Sequence, residues 1–194
     1  MITQTLTCAP CQQTALVLID LQQGILPFAQ GPYLAEQILP NAKLLMDHFH
    51  QHHAPVVLVR VDWSKEGKDA LTPRVDQPLP PRQTDANWSS WPAQLPIAEQ
   101  DIVITKRQWG AFYGTELDLQ LRRRGISQIV LAGISTNIGV ESTARQAWEH
   151  GYSLLIAEDC CGAASSEQHQ HSMQYIFPRI AQIRDTATII AALS

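Results

Sequence analysis

An aspartate that closes one apolar run and a lysine that closes another are the side chains in this sequence best placed to do chemistry. Asp20 follows the run at 15–19, and Lys106 follows the run at 101–105. A carboxylate and an ammonium brought together in a half-buried crevice shift each other's proton affinity, so the pair can hold, deliver or accept a proton. A third segment, Gly133-Ile134-Ser135-Thr136-Asn137-Ile138-Gly139, leaves an apolar run and enters a helical pattern. A helix start there turns free backbone N–H groups toward the same space. Together these segments supply a proton donor or acceptor, a cation and an anion-stabilising pocket. On residue types alone a second reading stays open, in which the two charges form a buried ion pair that only pins strands together.

Two other groups invite chemistry and are set aside. Cys8 and Cys11 form a C-x-x-C in a polar tail, residues 1–13, and Cys160 and Cys161 are adjacent. A zinc site needs a second ligand pair at metal spacing, and neighbouring cysteines make poor tetrahedral ligands. All four are expected as reduced thiols. His48, His50, His52 and His53 crowd the end of a helical pattern, where they are expected to face solvent. Neither a metal nor a cofactor is expected.

The elements that must position Asp20 and Lys106 can be read from hydrophobic spacing. Continuous apolar, β-branched runs at 15–19, 56–59, 101–105, 129–133 and 153–157 read as strands buried on both faces, the fifth ending at Glu158-Asp159. A weaker strand is expected at 180–183. Leu34, Ile38, Ala42, Leu45, Met46 and Phe49 recur at helical spacing, with Pro40 inside the pattern, where the helix kinks or starts. Further helices are expected from Thr115 to Gly125, over 137–150 with Val140, Ala144, Ala147 and Trp148 inward, over 165–176, and at the end through Ile189, Ile190 and Leu193. The basic run Arg122, Arg123, Arg124 before Gly125 complements the negative end of its helix.

Strand alternating with helix means parallel strands joined by helical crossovers, an α/β fold with helices on both faces of the sheet. Ligands bind beyond the carboxyl ends of such strands. Asp20, Gln22, Lys106 and residues 133–139 all fall there. Phe28, Trp109 and Tyr113 are expected to wall the pocket or to pack elsewhere. Residues 63–100, with five prolines between Pro73 and Pro92 and Trp63, Trp88 and Trp91, are too irregular for the core. Long excursions of this kind serve as lids or partner-binding arms.

Composition bounds the rest. A chain of 194 residues that is 45% hydrophobic forms one domain, placed at 14–194, with a sizeable core. A net charge of −4 argues against nucleic acid or an anionic membrane as partner. No apolar run is long enough to span a bilayer, and the first residues lack the pattern of a signal peptide, so a cytoplasmic location is expected. The charged share, 16%, leaves much neutral surface, which points to a homo-oligomer, dimer or tetramer, acting on a small molecule.

Leu18-Ile19-Asp20-Leu21-Gln22 resembles the first motif of the isochorismatase-like hydrolases, also called the cysteine hydrolase superfamily. Lys106-Arg107-Gln108-Trp109-Gly110-Ala111-Phe112-Tyr113-Gly114-Thr115 resembles the second, with Gly110 where serine is usual. The segment 133–144 resembles the third. The resemblance covers 14–194 and implies a Rossmann-like three-layer α-β-α sandwich with a six-stranded, mostly parallel sheet. It implies that Asp20 is the acid or base, that Lys106 pairs with it, and that a cis peptide joins Ile134 to Ser135 so that backbone N–H groups form an oxyanion hole. Substrate contacts would come from Gln22, Phe28, Trp109, Tyr113, Ser135, Asn137 and Ile138. Most of the superfamily has a nucleophilic cysteine where this chain has Gly139. Glycine cannot form a thioester.

The subgroup that hydrolyses isochorismate also carries an Ile-Gly pair like Ile138-Gly139, and there an aspartic acid protonates the carbon of a vinyl ether. The present chain departs from that subgroup at Gln108, where arginine is typical, and at Ser135-Thr136-Asn137, where Tyr-Ala-His stands. It also lacks the metal motif of nicotinamidases, having Asp62-Trp63-Ser64-Lys65 instead. Two functions are therefore expected in alternative: a non-covalent hydrolase of a small organic metabolite, or a catalytically silent member that binds a metabolite or a partner protein.

Overall fold

The computed structural model describes residues 6, 8–77 and 86–193. Six strands form one sheet: β1 (Thr14–Ile19), β2 (Val56–Val61), β3 (Ile102–Lys106), β4 (Gln128–Ile134), β5 (Ser153–Gly162) and β6 (Gln182–Arg184). Their order is β3-β2-β1-β4-β5-β6, and every neighbouring pair is parallel. The helices are α1 (Ala35–Gln51), α2 (Leu117–Arg123), α3 (Glu141–Glu149), α4 (Ser166–His171) and α5 (Thr186–Leu193). β1, β2 and β4 are buried almost throughout, as strands covered on both faces must be. The chain builds outward from β1 through β2 to β3, then crosses back to lay β4 on the other side of β1. That reversal opens a crevice between the carboxyl ends of β1 and β4.

Local chemistry explains where the elements depart from the sequence reading. α1 runs straight through Pro40, which neither starts nor ends it. Pro40 is exposed, so the Glu36 carbonyl that loses its helical partner faces water. β5 extends to Gly162, beyond the expected stop at Glu158-Asp159, because its register with β4 slips between Leu131 and Gly133 and the extra residues bulge out. Within that bulge Asp159 caps α5, its Oδ1 accepting from the N–H and hydroxyl of Thr186 at 2.8 Å each. The helix expected over 137–150 opens with one wide turn, Thr136–Val140, before α3. Trp148, expected inward, is exposed, whereas Val140, Thr143, Ala144 and Ala147 are buried.

The histidines at the end of α1 also differ from expectation. His48 is buried, His50 Nε2 lies 2.8 Å from Asp101 Oδ1, and Cys11 stands beside His48 and His52. Parallel topology is the cause: α1 runs back to the starting edge of the sheet, where the segment entering β1 also lies. The Pro78, Pro80 and Pro81 of the excursion fall outside the described residues. Its flanks are fastened to the body: Trp88 Nε1 donates to the Val61 carbonyl at 3.2 Å, and Arg107 pairs with Asp69 at 2.7 Å.

Candidate active site

Asp20 is the first residue past β1 and takes a left-handed conformation, φ 53°. Aspartate tolerates this region better than most side chains. The turn lifts its carboxylate off the strand direction while its N–H still donates to Val59 of β2 at 2.8 Å. Lys106 ends β3, two strands away, and its side chain crosses over β2 to reach the same point. Its Nζ lies 2.7 Å from Asp20 Oδ2 and donates to the Trp109 carbonyl at 2.6 Å. The lysine side chain is 1% exposed. Burial pushes the Asp20 carboxyl up to about 6, against the pull of the Lys106 ammonium. Asp20 Oδ1 is buried and has no hydrogen-bond partner among the described residues.

Gly139 forms the third side of this arrangement. A β-carbon placed on it would stand 3.1 Å from Asp20 Oδ2, 3.1 Å from Lys106 Nζ and 3.0 Å from Ile19 Cγ2. Any side chain at 139 would therefore project directly against the ion pair. The wide turn that carries Gly139 follows the cis peptide Ile134–Ser135, which the sequence resemblance anticipates. The Ser135 carbonyl accepts from Ile138 N–H at 3.1 Å and Val140 N–H at 3.2 Å, so these two groups are spent within the turn. Ser135, Asn137 and Ile138 are half-buried around it, and Asn137 Oδ1 has no partner.

Other expected contact residues lie elsewhere. Gln22 is fully buried and its amide is spent: Nε2 donates to the carbonyls of Val61 and Trp88 at 3.0 Å each, and Oε1 accepts from Val61 N–H at 2.7 Å. It ties β1 to β2 and to the excursion rather than to a ligand. Phe28, Trp109 and Tyr113 are 40%, 55% and 75% exposed, not walls of a closed pocket. Trp109 serves the site with its carbonyl, because Gln108 braces the turn by donating to the Gly110 and Tyr113 carbonyls and leaves the rings outside. Arg107, the neighbour of Gln108, is turned to Asp69 and supplies no cation to the crevice. Cys160 and Cys161 are fully buried, and burial pushes the Cys161 thiol up to about 12, so neither offers a thiolate.

Two residues that the sequence did not announce hold the motifs together. Thr143 Oγ1 donates to the Gly139 carbonyl at 2.7 Å and accepts from Ala111 N–H at 3.1 Å, joining the segment after Lys106 to the one carrying Gly139. Gln146 Oε1 accepts from Phe112 N–H at 3.2 Å and stands 2.3 Å from where a Gly110 β-carbon would lie. A side chain at 110 would therefore require the Gln146 amide to shift from this position. The signal was present as Thr143 and Gln146 on successive turns of one helix face, but only the fold shows what they meet.

Comparison with known proteins fits this geometry. The Isochorismatase domain model matches residues 14–188. The isochorismatase family protein YecD of Escherichia coli O157:H7 is 57% identical over 180 residues, covering 93% of this chain and 96% of that one. The family protein YwoC of Bacillus subtilis is 47% identical over 177 residues, 90% of this chain and 91% of its own. Among solved structures, an isochorismatase family protein from Burkholderia thailandensis superposes with a TM-score of 0.91 at 40% identity, covering 94% and 96% of the two chains. Three motifs gathered at neighbouring strand ends, with relatives matching along nearly the whole length, place the chain in the isochorismatase family, whose members are hydrolases.

Proposed function

We propose that the chain hydrolyses a small organic metabolite without a covalent intermediate, with Asp20 as general acid and Lys106 as its electrostatic partner. The observation that carries this reading is the asymmetry of the Asp20 carboxyl. Oδ2 is held by Lys106 Nζ at 2.7 Å, whereas Oδ1 is buried and unpartnered. A proton resting on Oδ1 has no acceptor among the described residues and is free to be delivered. Once it leaves, the adjacent ammonium stabilises the carboxylate. Gly139 offers no nucleophile, and the buried thiols of Cys160 and Cys161 offer no substitute.

This equipment suits a substrate activated by protonation, of which a vinyl ether is the clearest case. The Oδ1 proton passes to the terminal carbon of the double bond, and the π electrons form that new C–H bond. The remaining cation is shared between carbon and ether oxygen. Water adds to the cationic carbon and gives up a proton to the Asp20 carboxylate. The resulting hemiketal collapses: its hydroxyl proton passes to the ether oxygen, the carbon–oxygen bond to that group breaks, and a ketone and an alcohol form. Every proton taken from Asp20 is thereby returned.

Purified protein incubated with vinyl ethers, isochorismate among them, and with small amides separates the possibilities. Turnover of a vinyl ether in D₂O should leave one solvent deuteron on the protonated carbon. Asp20→Asn should bind that compound nearly as well and turn none over. Hydrolysis of simple amides by the parent protein would contradict the mechanism. Binding of these compounds with no turnover would favour the silent, metabolite-binding reading, which the missing side chain at Gly139 motivates.

A further inference from the structure

At the end of the sheet opposite Asp20, a recess of about 400 Å³ is lined by Cys8, Cys11, His52 and the end of α5 at Ala192 and Leu193. The Cys11 thiol and one ring nitrogen each from His48 and His52 lie within 4.8 Å of one another. Tetrahedral zinc with sulfur and nitrogen ligands sets them about 3.3–3.6 Å apart, so closure needs an inward movement on the order of 1 Å. His48 is 7% exposed, and its Nε2 is buried without a partner. A buried ring nitrogen left unpaired is costly, and a metal ion is one way to satisfy it. His52 is already oriented: its Nδ1 bonds the His48 carbonyl at 2.9 Å. As the donor in that bond, Nδ1 carries the proton and leaves Nε2 with its lone pair, the way metal-ligating histidines are usually held by a backbone carbonyl.

The spacing supports the same conclusion. His48 and His52 are four residues apart at the end of α1, so their rings fall on one helix face, 4.2 Å between centroids. Cys8 and Cys11 are separated by two residues in the segment entering β1. Read along the chain these pairs are 37 residues apart and looked unrelated; the return of α1 to the starting edge of the sheet brings them together. We propose that Cys11, His48 and His52 bind one zinc ion that fastens the segment entering β1 to the end of α1, and that Cys8, which lines the same recess outside that cluster with its thiol bonded to the Gln128 side chain, turns in as the fourth ligand. Two thiolates and two imidazoles in tetrahedral array favour zinc over hard cations. With Cys8 turned in, all four positions are filled by protein and the site is structural. β1 alone separates it from the hydrolytic crevice by about 20 Å at the usual rise per residue.

The test uses the full chain without an affinity tag, loaded with Zn²⁺ and dialysed against metal-free buffer. Elemental analysis should find about one zinc per chain. Co²⁺ in its place should give intense visible bands of tetrahedral cobalt and sulfur-to-cobalt charge transfer in the near ultraviolet. Cys11→Ala and His48→Gln should lose retained metal, Cys8→Ser should reduce the charge-transfer intensity by about half, and His53→Gln should change nothing. Chelation should lower the Tm of the parent and leave that of Cys11→Ala unmoved. Circular dichroism confirms that each variant is folded, and Cys11→Ala, which only removes a sulfur, covers the case in which His48→Gln is not. Zinc below about 0.1 per chain, cobalt spectra without a sulfur band, or retention indifferent to Cys11→Ala would overturn the proposal.

Discussion

At the scale of single residues, the site depends on which oxygen of one carboxylate is engaged. Burial raises Asp20 to about 6, and a general acid works only while protonated. kcat/KM should therefore hold at low pH and fall as pH rises through about 6, a profile that a pH series on the free enzyme records. Stability follows the same sign. The cost of ionising a buried carboxyl is absent below its ordinary value of 3.8, grows above it, and is complete past about 6. Gly139 gives a sharper test. In Gly139→Ala the added methyl meets Asp20 Oδ2 and Lys106 Nζ at 3.1 Å, tighter than usual contact. That variant should fold normally and lose about tenfold or more in kcat/KM, a cost of about 1.4 kcal/mol in transition-state stabilisation. Asp20 and Lys106 were legible in the sequence because each stands at the end of a strand whose apolar run is unmistakable, and Gly139 through the resemblance of the motif that carries it. Gln22 was not, since its partners Val61 and Trp88 lie 39 and 66 residues away, and nothing in a glutamine's type tells a brace from a ligand contact.

At the scale of elements, the crevice is held by cross-links between segments rather than by the strands alone. Thr143 on α3 is the clearest, since it bonds both the Gly139 carbonyl and the Ala111 N–H. Thr143→Val keeps the shape but leaves a buried N–H unpaired, which costs about 2 kcal/mol. The Tm should drop by about 4–8 °C, with Thr143→Ser nearer the parent, as thermal unfolding would record. The sequence placed all six strands and the main helices, because buried parallel strands carry a continuous apolar signal. It ended β5 early because Glu158 and Asp159 read as a strand terminus. In the fold they belong to a bulge whose carboxylate caps α5, a role that polarity alone cannot show. Pro40 misled for a related reason: what a helix loses to proline depends on whether the orphaned carbonyl faces water.

At the scale of the whole molecule, the two ends of the sheet hold separate clusters, with the Asp20–Lys106 crevice at one and the cysteine–histidine cluster at the other. No described helix is long and apolar enough to cross a membrane. Trp109, Tyr113, Trp148 and Tyr175 are each more than half exposed, aromatic area that a second copy of the chain would cover. Light scattering on the purified protein should accordingly return a dimer or tetramer, and a monomer at micromolar concentration would refute that expectation. These long-range relations were the least legible part of the sequence, since they depend on which loops the topology brings to the same edge.

The crossing of β2 by Lys106 has a practical corollary. Of the four lysines, Lys43, Lys65 and Lys68 are open to solvent, whereas Lys106 is sealed under its own crossover. Amine-directed acylation of the native protein should mark the first three within minutes and spare the fourth, so that a peptide containing acylated Lys106 reports only molecules that have opened. One ordinary reagent and a mass spectrometer would thus turn the buried cation into an internal clock for how often this fold comes apart.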